Sequence, residues 1–286
     1  MGLSIFGNAL RANLKTLKLM QVTSWKWRSM VPKPMLCLMA IACGLLGPGP
    51  ARSENDGFRV ESKVFVGSEK EPKSENTTIF SKGVIYDYLK TPAETIVLDP
   101  ARGRFILLDP NRRLRTELST QEVLALTENL RQWAATQTDA FTRFLAAPSF
   151  EEQFDERTGE VILQSPWVTY RAAMIEPDNE AMAQQYREFC DWYTRLNARL
   201  TPGYKLVFAR LAFNEAIQKR RQLPKEINLT VQLKKVFGTQ KTVVRSEHQF
   251  VSHLVESDRD RITQTSQYMA IFQPVDFTEY SRKPEP

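Results

Sequence analysis

Cysteine and histidine are scarce in this chain of 286 residues, with three of the first and two of the second. Cys37 and Cys43 lie in an apolar run near the N-terminus, so only Cys190 belongs to the remainder. A single thiol forms no internal disulfide. His248 and His253 sit five apart in a segment that alternates like a strand. They point to opposite faces and cannot share a metal ion without a bulge. The sequence also lacks G-x-G-x-x-G, a P-loop, H-E-x-x-H and G-x-S-x-G. No metal site, no cofactor and no catalytic residue is therefore expected, and the chain reads as a non-enzyme.

Acidic residues are absent from positions 1–53, which hold seven basic ones. Removing those seven from 39 leaves 32 basic against 33 acidic residues, a net charge of −1 for 54–286. The sequence pI of 9.2 thus belongs to the leader. Without a basic remainder, nucleic acid is not an expected partner.

The leader itself has the layout of an export signal. Lys33 precedes the apolar run Met35–Leu46, and Gly47, Pro48, Gly49 and Pro50 break it. Ala51-Arg52-Ser53 puts small residues at −3 and −1 of a cut before Glu54. The run, about 12 residues, is short for a bilayer span and suited to a signal h-region. Residues 1–53 are expected to be a signal peptide with an extended basic N-terminal region, and 54–286 a single α+β domain. The expected location is the periplasm or another extracytoplasmic space, which one unpaired cysteine fits. Three alternatives stay open: a later start at Met20 or Met30, lipidation at Cys43 after Ala40-Ile41-Ala42, and an uncleaved run that anchors the domain.

Beyond the leader, strand and helix periods separate clearly. Phe58–Val66 alternates, with Phe58, Val60 and Val64 on one face. Thr77–Leu89 reads as a second strand after a polar loop at Lys70–Asn76. Asp99-Pro100-Ala101-Arg102-Gly103 joins Glu94–Leu98 to Phe105–Leu108 as a hairpin, with Gly103 free to take a positive φ. Ser119-Thr120-Gln121-Glu122 fits a capping box, opening one long helix to Phe144. Asp155–Gly159 marks another hairpin, and its second strand, Val161–Met174, contains Pro166. Met182, Tyr186, Phe189, Tyr193, Leu196 and Leu200 form the apolar stripe of a second helix. A third helix spans Leu206–Arg221. A meander closes the chain, with strands at Ile227–Leu233, Thr242–Val255 and Arg261–Phe272, and a short one at Asp276–Tyr280.

Hairpin-linked strands with separate helices predict an α+β fold: a curved, unclosed antiparallel sheet covered on one face by about three helices. Such layers leave room for an apolar cavity between them, although a filled core satisfies the same pattern. The residues expected to face a ligand there are Val60, Val64, Trp167, Ile227, Leu229, Val231, Phe250 and Tyr268. Cys190, beside Phe189 and Trp192, reads as a core thiol. Glu256, Asp258 and Asp260 alternate with arginine and read as a solvated turn.

The order of elements resembles the LolA/LolB-like superfamily of envelope proteins. The likeness is carried by Tyr86–Leu118 as hairpin strands, Ser119–Phe144 as a capped helix, and Leu223-Pro224-Lys225-Glu226-Ile227 opening a strand. It spans most of residues 58–280. The resemblance implies an unclosed β-barrel covered by helices, and binding of a lipid or lipoprotein in the envelope, with contact to a membrane surface. No residue role is carried over with it. The competing expectations are a structural or protein-interaction module with a filled core and, less favoured, a carboxylate-dependent hydrolase.

Overall fold

The computed structural model describes residues 57–201, 203, 206–234 and 238–282. The expected signal peptide, its cut before Glu54 and Cys43 lie outside the described residues. The described chain builds a 12-stranded open sheet with helices in its connections.

Six strands form a first meander: β1 (Phe58–Val66), β2 (Ser74–Ser81), β3 (Val84–Leu89), β4 (Glu94–Asp99), β5 (Arg104–Asp109) and β6 (Leu114–Ser119). Two helices follow, α1 (Thr120–Ala135) and α2 (Ala140–Ala146). The second meander begins with β7 (Glu151–Asp155), β8 (Glu160–Gln164) and β9 (Val168–Ile175). After α3 (Glu180–Leu200) and α4 (Val207–Gln218), it resumes with β10 (Leu223–Lys234) and β11 (Thr239–Val251). The chain closes with α5 (Glu256–Ile271), β12 (Gln273–Pro274) and α6 (Phe277–Ser281).

Within each meander, consecutive strands pair antiparallel. The two meanders meet where β1 pairs with β11, with Ser62 opposite His248. At the far edge, β12 adds a short parallel pairing to β6. The α+β class and the open, mainly antiparallel sheet agree with the sequence expectation.

Local chemistry explains the joints. Gly103 has φ 59° and closes the β4–β5 turn, where the Asp99 side chain accepts from the Arg102 N–H. The capping box forms as spaced: Ser119 Oγ accepts from Glu122 N–H at 3.1 Å, and Ser119 N–H donates to Glu122 Oε2 at 2.9 Å. Pro166 falls in the turn between β8 and β9, where no ladder needs its missing N–H.

One face of the sheet packs against α1, α3 and α4. Phe80 meets Phe189 edge-on with centroids 5.7 Å apart, and Tyr170 stacks on Phe213 at 4.6 Å. Burying each ring stabilises the layer by about 1.5–3 kcal/mol.

Several expectations need correction. Arg261–Phe272 is not a strand. Arg261–Ile271 belongs to α5, which Phe272 ends, and which packs on the opposite face of the sheet over Ile79, Tyr86, Val97, Ile106 and Leu108. Alternating Ile, Thr and Tyr imitate a strand there, but Ile262, Thr265, Met269 and Phe272 also recur at helical spacing, and the exposed second face of β2–β5 selects the helix. Asp258 is buried rather than solvated. Its Oδ2 accepts from Val255 N–H at 3.0 Å and from Arg59 Nη1 at 2.9 Å, fixing the start of α5. Asp276–Tyr280 forms most of a helical turn, with Asp276 capping the Glu279 N–H. The long first helix breaks at Thr136–Asp139, because Asp139 Oδ2 accepts from Thr142 N–H at 2.7 Å and starts α2. Thr77–Leu89 divides into β2 and β3 at Lys82-Gly83, both with positive φ.

Candidate functional site

Seven of the eight residues expected to face a ligand share the sheet face beneath α3 and α4. Val60, Val64, Ile227, Leu229 and Val231 are buried in its core, and Trp167 and Phe250 are partly buried against it. Alternation puts six of them there, on the inward parity of β1, β10 and β11, whereas Trp167 comes from the turn before β9. Trp167 packs on Phe144 at 5.0 Å, and Phe250 meets Tyr186 edge-on at 5.0 Å. Tyr268 does not join them. It lies on α5, stacked on Phe272 at 4.6 Å, against the opposite face.

A polar seam crosses this otherwise apolar layer. On the sheet it includes Ser62, Asn76, Asp87, Ser246 and His248, and on the helices Tyr186, Cys190, Tyr193 and Arg210. Ser62 Oγ lies 2.9 Å from His248 Nδ1, and Ser246 Oγ 3.0 Å from Nε2. Burial drives the imidazole well below its ordinary pKa, and the Arg210 charge acts in the same direction. A neutral ring has one N–H, so one serine accepts from it and the other donates to it.

Asp87 is fully buried on β3, and Asn76 Nδ2 donates to its Oδ1 at 3.1 Å. Burial pushes its carboxyl well above the ordinary range, against hydrogen bonds from Tyr193 and Thr78 that favour the carboxylate. Burial also raises the Cys190 thiol, which makes it a poor nucleophile at neutral pH. Burial thus favours the uncharged forms of the carboxyl, thiol and imidazole in this seam, which lies beside the cation of Arg210.

Arg210 links this interior to a second feature. Its Nε donates to Asn214 Oδ1 at 3.0 Å, and Asn214 Nδ2 donates to Asp191 Oδ1 at 2.8 Å. Asp191 faces a cleft of about 420 Å³ within the helical layer, where α1, α3 and α4 meet the segment after α2. Arg131, Arg187 and Arg195 line it, over a floor that includes Phe208, Leu211, Ala212 and Pro148. Arg131 lies over the Phe208 ring at 4.2 Å. A smaller apolar depression of about 40 Å³ opens nearby, beside Leu130, Trp133 and Val207.

The three arginines escape a search for motifs. Arg187, Asp191 and Arg195 recur every fourth residue on α3, opposite part of its apolar stripe, which is their one sequence signal. Arg131 arrives from another helix. Among the described residues, no group of three or more His, Cys, Asp or Glu side chains is placed to hold a metal ion. Nor is any described helix long and apolar enough to cross a membrane.

No protein-family profile matches the chain, and no curated protein matches it. Among solved structures it is similar to a LolA superfamily protein from Nitrosomonas europaea. That match has 5% identity and a TM-score of 0.24, and covers 72% of this chain and 90% of the other.

Proposed function

We propose that this is an exported, non-catalytic binding protein of the bacterial envelope, which takes a lipid, a lipoprotein acyl chain or another hydrophobic ligand between its sheet and its helices. The observation that carries this reading is the shared face of Val60, Val64, Trp167, Ile227, Leu229, Val231 and Phe250. Trp167 and Phe250 are partly exposed, so the apolar layer reaches solvent at both positions. Entry requires α3 and α4 to lift from the sheet. The polar seam reduces the apolar area that this separation exposes, and an entering acyl chain returns about 0.8 kcal/mol per buried CH₂.

A second reading rests on the packing. Val60, Val64 and Ile227 are each fully buried, as in a filled core. In that case the domain is a structural or interaction module of the same fold. The two readings part on one experiment. The full-length chain is purified without detergent, extracted for lipid and analysed by mass spectrometry, then titrated with an apolar fluorescent probe. Co-purified lipid and saturable probe binding, weakened by Phe250→Asp, support the carrier. Absence of both leaves the filled-core module.

A further inference from the structure

We infer that the cleft between α1, α3 and α4 binds an anionic amphiphile, with a phosphate or carboxylate group held by Arg131, Arg187 and Arg195 and a short apolar substituent on Phe208 and Leu211. This site is separate from the sheet–helix interface and does not depend on a ligand there.

Size is the first support. At about 420 Å³ the cleft falls within the range of ligand-sized sites, roughly 300–1,000 Å³. Charge is the second. The two acidic residues lining the cleft are already engaged. One oxygen of Asp191 accepts from Asn214 at 2.8 Å, and the other lies 3.6 Å from Arg187. Glu215 lies 3.8 Å from Lys219. Arg195, by contrast, has no carboxylate within 4.0 Å among the described residues. Its Nη1 donates to the Asp191 carbonyl at 2.9 Å, which leaves further N–H groups for a ligand. The Nε of Arg187 is buried without a hydrogen-bond partner.

Preorganisation is the third support. The Arg131 guanidinium lies against Phe208, and Arg195 lies over Trp192 at 5.6 Å. Guanidinium groups held on aromatic rings lose less freedom when they grip an anion. Arg195 is also held below its ordinary pKa by burial, with the Asp191 charge opposing and smaller repulsions from Arg131 and Arg187 adding to it. The three cations share one field that Asp191 and, beside Arg131, Glu128 only partly offset, and a bound anion adds to that compensation. The planar fork of arginine matches phosphate and carboxylate oxygens in pairs. The apolar floor adds the preference for a substituted anion over a free one.

The test is isothermal titration of the full-length chain with octyl phosphate, inorganic phosphate and octyl glucoside, each below its aggregation concentration. Octyl phosphate is expected to bind saturably and more tightly than inorganic phosphate, and octyl glucoside not at all. Arg195→Gln is expected to weaken octyl phosphate roughly 10- to 100-fold, the loss of one charge-assisted contact. Arg171→Gln, on the far sheet surface, should leave it unchanged. Thermal melting checks that each variant is folded. If Arg195→Gln does not fold, the more exposed Arg131→Gln supplies the same readout. Equal affinity for both phosphates would remove the amphiphile. No saturation, equal binding of octyl glucoside, or indifference to the folded arginine variants would overturn the site itself.

Discussion

In the first meander, β3, β4 and β5 bury nearly every residue, whereas β9 and β11 in the second alternate buried with more exposed positions. The difference follows from what covers them. Strands β2–β5 have the large helical layer on one face and α5 on the other. The second meander carries helices on one face and presents polar side chains such as Arg171 and Asn228 on the other. Continuous apolar strands therefore announce a second covered face, and alternating ones a wet face. The runs Ile96-Val97-Leu98 and Phe105-Ile106-Leu107-Leu108 carried that announcement, and the helix answering it lay some 150 residues further on.

Four measurements bear on this contrast. The largest effect is expected in the layer that both meanders share. Phe213→Ala removes a fully buried ring stacked on Tyr170 and should cost about 3–5 kcal/mol in denaturant unfolding. Next comes the face that only the first meander buries. Ile79→Ala should cost about 2–4 kcal/mol. A cost below about 1 kcal/mol would mean that α5 does not seal this face.

The third measurement concerns pH. Asp87 has a raised folded-state pKa, so its contribution is intact below the unfolded value of about 3.9 and is lost as pH rises above it. Asp87→Asn should therefore gain stability relative to the parent as pH rises above about 4, by at most about 1.4 kcal/mol per unit. His248, with a depressed value, acts in the opposite sense: its contribution is present above about pH 6.5 and lost as pH falls below it. A flat difference between Asp87→Asn and the parent would show that Asp87 is ionised in the folded protein. The smallest effect belongs to the wet face. Arg171→Ala breaks a partly exposed pair with Glu160, 3.1 Å apart, and should change stability by less than about 1 kcal/mol.

Much of the framework was legible because local chemistry decided it. The alternation of β1 and β10, the capping box at Ser119, the positive φ of Gly103 and the stripe of α3 need only near neighbours. The parts that were not legible depend on distant ones. Helix α5 has few apolar residues, and its helical state is chosen by the face of β2–β5 rather than by its own sequence. That also separated Tyr268 from the other seven candidate residues. The arginine cleft shows the same limit, since Arg131 reaches Arg187 and Arg195 only after the helices pack. Buried Asp87 was hidden for a related reason: a carboxylate inside a strand gives no sign that burial will raise its pKa.

The pairing of β1 with β11 has a consequence for assembly. Every other antiparallel pairing joins strands consecutive in the chain, but Ser62 and His248 meet across 186 residues. Each meander can zip from its own hairpins before the other exists. The union of the two halves must await the completion of β11, and closing so long a loop is slow. Until then β1 presents an unpaired edge beside its hairpin partner, open to the wrong strand or to another copy. The vulnerable interval in the life of this protein is therefore the one between synthesis of its first strand and arrival of its eleventh.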